Sequence, residues 1–472
     1  MVQAAAAGVM YALGHVGFGI WPLLFVCLVP FWAVLDPCRT STLRRALWLG
    51  LVFGAAVYVA GYGWLWWLVD GFLAGQRLFG VFLWLLYGVW VAAGFAVHAA
   101  ITWGLWRRSG RLWGAAVSSL VLVQWLQPHL FWAEMGVGLI HAPVLAQTAE
   151  LGGPLLLTGW VASINAVVLH VMDPRCTSNN QPAKVRAGHR VLQGPVVLVA
   201  FFSLAAVMFG VQRLNENTAD RTSADDRLKV GAVQANLSPS VDAAERIQAH
   251  RQYVAMSRTL TAQGADLIVW PESAYGPALR LPLPIAGHSI RSDISVPLLF
   301  GGTSVEPDEQ GQRLGNSVFL VEKDGMIRQV YRKRLLIPWA EFVPLSTVWP
   351  ALRRMFPHAQ RFSTSKEAEA FEVPGWRIAT PICYEIVHAS YVRRLMRKID
   401  PHVIVTVAND AWFGDSQEPW IHLAVARLRA IEHRRWIVRA TNSGISALID
   451  PRGLIEKQTP LSKASVLFGI VH

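Results

Sequence analysis

Three side chains in this sequence have the chemistry for covalent catalysis, and each falls at the end of an apolar run. Cys383 comes first. Of the four cysteines, Cys27 lies in a long apolar stretch and Cys38 and Cys176 lie in short basic loops, so Cys383 has no partner in the polar half of the chain. By count alone it reads equally as a reactive thiol or as an inert buried cysteine. Position favours reactivity: it closes the run WRIATPICYE, where a helix-start turn lowers a thiol pKa. A thiol nucleophile needs a base, and a cation or amide donors for the oxyanion. No histidine stands in a papain-like context, and His388 follows a strand end with no fixed direction. Glu272, in VWPES, comes at the end of a buried strand. A carboxylate there is partly desolvated and suited to base duty, although loop capping fits it as well. Lys333, in YRKR beside Arg332 and Arg334, reads in isolation as one more solvated basic residue. Together the three weigh differently. The spacings are 61 residues (333 − 272) and 50 residues (383 − 333), and all three can converge on one edge of a sheet.

The elements that must position them alternate. Lys229–Asn236 reads as a strand, Ala243–Ala262 as a helix, and Asp266–Trp270 and Val296–Gly301 as buried strands. Ser317–Arg332 reads as a hairpin turning at Asp324-Gly325. Arg377–Cys383 and His402–Ala408 are strands, each followed by a helix, Ser390–Ile399 and Ile421–His433. Trp436–Ala440 and Ile445–Asp450 close the series. This pattern predicts a layered α/β domain from residue 228 onward. The polar run Asn215–Asp226 marks the boundary, with 213–227 as linker.

Residues 1–212 read differently. The chain is 53% apolar and only 16% charged, with mean hydropathy +0.34. A soluble domain carries about 25% charged residues, so a plain soluble enzyme is excluded. Seven apolar spans are predicted, at 4–18, 19–35, 46–69, 78–105, 112–127, 144–172 and 191–212. The opening stretch lacks a basic flank and is not read as a cleavable signal. Arginines and lysines collect after spans two (Arg39, Arg44, Arg45), four (Arg107, Arg108, Arg111) and six (Arg175, Lys184, Arg186, Arg190), while the alternate loops are poor in them. The positive-inside rule therefore puts those loops in the cytoplasm and the polar domain outside, in the periplasm of a Gram-negative cell. The net charge of +12 then marks orientation rather than nucleic-acid binding. Tyr62, Trp64, Trp66 and Trp67 read as an interfacial aromatic belt or as the lining of a lipid groove. Asp70, His129, Glu134 and His141 read as interfacial loop residues.

The motifs WPES, YRKRLLIPWAEF and TPICYE, in this order, resemble the Glu–Lys–Cys triad of the nitrilase superfamily. With Gly315-Asn316-Ser317, NDAWFGDS, RATNSGISALIDPRG and the membrane spans added, nearly the whole chain is similar to the apolipoprotein N-acyltransferase family. That resemblance implies a multi-pass α-helical membrane bundle carrying a nitrilase-like αββα sandwich in the bacterial inner membrane. It implies Cys383 as nucleophile, Glu272 as general base and Lys333 at the oxyanion, with Glu341, Tyr384 and Glu385 in support. Glu341 would hold Lys333, and the Tyr384 N–H would join the oxyanion site. It further implies a phospholipid acyl donor (phosphatidylethanolamine is expected), a thioester, a diacylated apolipoprotein acceptor, and action as a monomer on the bilayer without nucleic acid, cofactor or metal. Trp339, Trp412 and Phe413 lie beside the motifs and fit either acyl-chain contact or core packing. Gly301-Gly302 lacks the Lys-Ser/Thr of a phosphate loop.

Some positions depart from the family pattern. Leu335, Trp339 and Ala340 replace the residues of KRHLVPFGE, Gln124 stands where a glutamate is usual, and Ile421 stands where glutamine precedes the histidine. The sequence ends at His472 without a further membrane span, so the expected domain hangs from span seven alone. Two alternatives follow: a membrane-tethered amidase using water, or a non-catalytic lipoprotein-binding relative. An intact triad weighs against the second, and a lipid-facing bundle against the first.

Overall fold

The computed structural model describes residues 1–72, 77–131, 134–172, 183–216, 227–238, 243–308, 311–356, 362–365 and 369–472. The chain divides into two compact units. One comprises Met1–Val69 with Gly75–Asn215, the other Asp70–Ala74 with Glu216–His472. Most of the predicted linker, and the basic loop carrying Arg175 and Cys176, lie outside the described residues.

In the first unit four helices are long and apolar enough to cross a membrane: Leu43–Gly61, Arg77–Ser109, Ala149–Met172 and Gly194–Asn215. Shorter apolar helical segments are Val2–Gly14, Trp21–Leu35 and Leu112–Leu126. Three predicted spans are interrupted. The second is a 3-10 turn, Trp21–Phe25, followed by the helix Val29–Leu35. The third stops at Gly61 and restarts at Leu65, because Tyr62-Gly63-Trp64 leaves helical geometry. The sixth bends at Gly152-Gly153, just before Pro154, which lacks an N–H to continue the ladder. Buried polar groups tie the helices together. The Trp32 indole donates to His98 Nε2 at 3.2 Å, and His98 Nδ1 meets the Ser119 hydroxyl at 2.8 Å. The Gln124 amide donates to the Tyr11 hydroxyl at 3.0 Å. The belt reading is corrected in part: Tyr62 and Trp64 are buried, packed with Tyr58 and Phe131, while Trp66 and Trp67 are exposed. The side chain of Asp70 lies outside the described residues.

The second unit holds fourteen strands among the described residues: β1 (Leu228–Gln234), β2 (Leu267–Val269), β3 (Tyr275–Arg280), β4 (Ile285–Ala286), β5 (Leu298–Asp308), β6 (Gly311–Val321), β7 (Met326–Arg332), β8 (Phe371–Val373), β9 (Trp376–Ala379), β10 (Val403–Ala408), β11 (Trp436–Thr441), β12 (Ala447–Ile449), β13 (Ile455–Gln458) and β14 (Ser465–Val471). One sheet runs β14-β1-β2-β5-β6-β7-β4, with β3 on β5; the other runs β13-β12-β11-β10-β9-β8. Their apolar faces meet: Val230, Leu267 and Leu320 of the first pack in one core with Ile378, Ile404 and Ile437 of the second. The helix Ala243–Ala262 covers the outer face of the first sheet through Tyr253, Val254 and Leu260. The helices Ala389–Ile399 and Glu418–His433 cover the second through Val392, Leu395, Leu423 and Ala430. These are the four layers of an αββα sandwich. The strands read from the sequence ended at Asp450, within a domain read to residue 472; β13 and β14 follow, and β14 returns to pair antiparallel with β1 along its whole length.

Candidate active site

Glu272 and Lys333 follow strands of one sheet, and Cys383 follows a strand of the facing sheet. Lys333 follows β7 directly, and its N–H donates to the Asn316 carbonyl of β6 at 2.8 Å. Its stem is fully buried, an expensive place for an ammonium unless it is paired. The pairing is double. The Lys333 Nζ donates to Glu341 Oε1 at 2.9 Å and to Glu272 Oε1 at 3.3 Å. Burial alone pushes the lysine down, but the Glu272 and Glu341 carboxylates beside it hold the pKa above its usual value. Lys333 is therefore a fixed cation, not a surface charge.

Glu272 comes from the loop after β2. That loop lies so close to β5 that a Cβ on Gly301 would sit 2.5 Å from the Pro271 carbonyl and 2.6 Å from Glu272 Cα. Only glycine fits there, and its N–H donates back to Pro271 at 3.2 Å. Glu341 Oε2 accepts from the Ile337 N–H at 2.8 Å. One residue that sequence reasoning left without a role completes the group: the Asn316 amide donates to Glu272 Oε1 at 2.7 Å and to Glu341 Oε1 at 2.8 Å. Lys333 and Asn316 thus hold the same two oxygens.

Cys383 is not the end of a strand. Pro381 cannot continue the ladder, so β9 stops at Ala379 and Cys383 opens a 3-10 turn, Cys383–Val387. The approach is fixed by Thr406, whose hydroxyl donates to the Pro381 carbonyl at 2.9 Å, and by a bridge from Ile382 to Val407. Cys383 itself has φ +48°, a left-handed conformation that costs an L-residue energy and persists only where the surroundings enforce it. The thiol is buried. Burial pushes it well above the ordinary thiol range, Glu272 adds to this, and Lys333 opposes it without prevailing. The expectation of a lowered pKa is corrected: the resting group is a neutral thiol.

Glu385 locks the two halves together. Its Oε2 accepts from the Ile382 N–H at 2.8 Å and the Tyr331 hydroxyl at 2.7 Å; its Oε1 accepts from the N–H groups of Arg334 at 2.6 Å and Leu335 at 3.1 Å. Both strand ends are thereby bound to one buried carboxylate. On the far side the Cys383 carbonyl meets His422 Nε2 at 3.2 Å. Tyr384 packs edge-on against His388. Of the flanking aromatics, Phe413 is buried, Trp412 is half-buried and Trp339 is 38% exposed against Phe356.

This arrangement is a thiol, a carboxylate and a clamped cation beside a turn. Residues 7–167 match the apolipoprotein N-acyltransferase N-terminal domain pattern, and residues 229–470 match the carbon-nitrogen hydrolase pattern. The chain is 31% identical to an apolipoprotein N-acyltransferase of Azotobacter vinelandii over 99% of its own length and 88% of the relative's. It belongs to the apolipoprotein N-acyltransferase family. A family member from Pseudomonas syringae pv. tomato is 30% identical over 99% of this chain and 90% of its own, and one from Geobacter metallireducens is 27% identical over 100% and 89%. As an apolipoprotein N-acyltransferase family member the chain is an acyltransferase and a bacterial membrane protein. Sequence reasoning passed over Asn316, Asp410, His422 and Arg439 as family matches or departures. The signal for Asp410 and His422 was the close run of Asp410, Glu418 and His422 near a helix start; Arg439, in an apolar strand, had the signal of a charge in a buried run.

Proposed function

We propose that this membrane enzyme transfers an acyl chain from a phospholipid, through a thioester on Cys383, to the N-terminal amine of the diacylglyceryl cysteine of an apolipoprotein. The observation that carries the reading is the gathering of Glu272 and Lys333 beside Cys383 in a chain whose likeness to apolipoprotein N-acyltransferases runs over 99% of its length. The match to the N-terminal domain pattern disfavours a tethered amidase.

In the proposed first half, Glu272 takes the thiol proton as Sγ bonds to the ester carbonyl carbon. The carbonyl electron pair moves to oxygen, where Lys333 and the Tyr384 N–H receive the charge. Collapse breaks the ester C–O bond. The expelled alkoxide recovers the proton from Glu272 and leaves as the lysophospholipid alcohol. In the second half the acceptor amine attacks the thioester, passes a proton to Glu272, and the thiolate leaves and is reprotonated. Glu341 and Asn316 hold Lys333 and Glu272 in place, and Glu385 keeps the lysine and cysteine turns in register. The catalytic domain, residues 228–472, is assigned to the periplasmic side of the inner membrane on the arginine pattern of the loops. Phosphatidylethanolamine is the assigned donor and a monomer the assigned working form. Trp339, Leu345, Val348 and Trp349 present exposed apolar side chains suited to acyl chains, while Phe413 and Trp412 shield the thioester from water.

The test is a thioester trap. Purified protein is incubated with phosphatidylethanolamine carrying a labelled acyl chain, without acceptor. Hydroxylamine-sensitive label on the protein, lost in Cys383→Ala, is expected. Absence of label on folded wild type across several phospholipids overturns the reading.

A further inference from the structure

Behind the nucleophile lies a buried chain of polar groups that the mechanism above does not use. Arg439, on β11, donates from Nη2 to Asp410 Oδ2 at 2.6 Å. Asp410 Oδ1 lies 3.1 Å from His422 Nδ1. His422 Nε2 lies 3.2 Å from the Cys383 carbonyl oxygen. A carbonyl only accepts, so Nε2 carries the proton in this bond. None of the three side chains reaches solvent to any extent: Arg439 is 0%, Asp410 1% and His422 3% exposed. The packing leaves no slack, since a Cβ on Gly444 would sit 2.0 Å from Asp410 Oδ2. Asp410 is itself fixed: burial alone raises its pKa, but Arg439 and His422 outweigh it and keep it ionised. Burial and Arg439 lower the pKa of His422 against the pull of Asp410 and the Cys383 carbonyl, and Nδ1 donates to Asp410 only in the imidazolium form.

The consequence comes from peptide geometry. The Cys383 carbonyl and the Tyr384 N–H belong to one planar trans unit and point in opposite directions. A bond that pins the oxygen toward the helix Glu418–His433 turns the N–H away from that helix. The same bond supports the left-handed φ of Cys383, which nothing in a free chain would favour. We propose that the Arg439–Asp410–His422 chain is a positioning device for the oxyanion site, holding the Cys383 carbonyl so that the Tyr384 N–H faces the developing charge. This rests on the proposed function in one respect, the role of the Tyr384 N–H. His422 touches neither substrate nor thiol in this scheme; it acts through the peptide.

The experiment separates oxyanion stabilisation from thiol reactivity. In the full-length protein with Cys27, Cys38 and Cys176 changed to Ala, Cys383 is assayed in two ways: acylation by p-nitrophenyl butyrate, which forms an oxyanion, and alkylation by iodoacetamide, which does not. Removing one oxyanion donor costs about 10²–10³ in rate. His422→Ala is expected to slow the acylation burst by about 30- to 300-fold, with KM and the alkylation rate within about threefold of wild type. His422→Gln, whose amide reaches as far as Nε2, is expected to recover to within about tenfold. A burst within threefold of wild type in His422→Ala overturns the proposal. So does an alkylation rate that falls in step, which marks a disturbed fold. The ligand atoms of Asp410, Glu418 and His422 lie within 4.8 Å of one another. One equivalent of divalent metal in purified wild type, lost in His422→Ala, would make the cluster a metal site and likewise overturn it. Phospholipid failing as donor while the ester behaves as expected sinks the proposed function and leaves the positioning role standing.

Discussion

Glu272→Gln should make Cys383 worse at its reaction and better at a simpler one. Gln preserves the shape of the side chain and an oxygen for Asn316, but it removes the base and one negative charge. Loss of a positioned base costs about 10²–10⁴ in rate, so thioester formation from phospholipid falls by that factor. The thiol itself moves the other way. After burial, Glu272 is the foremost cause of its raised pKa. Glu272 also occupies part of the opposing cation: at 3.3 Å and an effective dielectric of about 20, its attraction to Lys333 is about 5 kcal/mol. In the variant that share of the lysine field acts on Cys383 uncancelled. A neighbouring charge commonly moves a pKa by about one to two units, and each unit multiplies the thiolate fraction tenfold below the pKa. Iodoacetamide should therefore alkylate Cys383 about 10- to 100-fold faster at pH 7 in Glu272→Gln than in wild type. The assay is mass spectrometry of Cys383 over time, in the background lacking the other cysteines, beside single-turnover acylation. If both rates fall together, Glu272 ionises the thiol at rest and the neutral-thiol account is refuted.

Other outcomes follow from the same geometry. Lys333→Met leaves Glu272 and Glu341 bound to one Asn316 nitrogen at 2.7 and 2.8 Å, hence at most about 5.5 Å apart, with a repulsion of about 3 kcal/mol at an effective dielectric of about 20. It should abolish acylation and destabilise the catalytic unit by about 3–5 kcal/mol, and adding Glu341→Gln should restore part of the stability and none of the activity, as read by denaturant titration and the thioester trap. In wild type, Cys383 alkylation should keep rising through pH 9, because burial and Glu272 hold the thiol above its ordinary 9.0; a plateau with its midpoint below pH 8 speaks against this. Asp410 is raised by burial but lowered on balance by Arg439 and His422. Its ionisation thus stabilises the fold above pH 3.8, and this contribution is lost as pH falls below that value. Stability curves of wild type and Asp410→Asn should converge in acid and part at neutral pH.

Much of the site was legible because strand ends are legible. VWPES and YRKR each follow a short apolar run, and the turn at Asp324-Gly325 joins β6 to β7 as expected. The helix Ala243–Ala262 begins and ends where its pattern does. Position along a strand, however, does not reveal what meets across a sheet. Asn316 sits 44 residues from Glu272 and 25 from Glu341, and it reaches both because β6 lies between β5, which carries the Glu272 loop, and β7, which leads to Lys333 and Glu341. The closing strand β14 alternates buried and half-buried positions, and its partner β1 lies more than 200 residues earlier in the chain. The Cys383 turn was misread because the apolar run continues through Pro381, which is apolar enough for a strand but has no donor for one. The thiol pKa was misjudged for a related reason. A helix-start turn is a local signal, whereas burial, the largest cause of the raised pKa, comes from the whole fold, and the Glu272 carboxylate that adds to it arrives from 111 residues away (383 − 272).

The neutral thiol also makes electrostatic sense of a site with two carboxylates and one lysine. At rest, Glu272 and Glu341 against Lys333 leave a charge of −1 among buried groups. A resting thiolate would make it −2 in a buried site, and that cost, added to burial, keeps the proton on sulfur. In the proposed tetrahedral state the thiol proton sits on Glu272 and the negative charge sits on the substrate oxygen, so the sum is again −1. The reaction then moves a buried charge without creating one. It travels from Glu272 to the oxyanion, both within reach of the Lys333 field, and its destination is fixed by whatever aims the Tyr384 N–H. On this proposed accounting Lys333 holds the charge at both ends of its path, and the peptide that His422 holds adds a donor met only by the oxyanion.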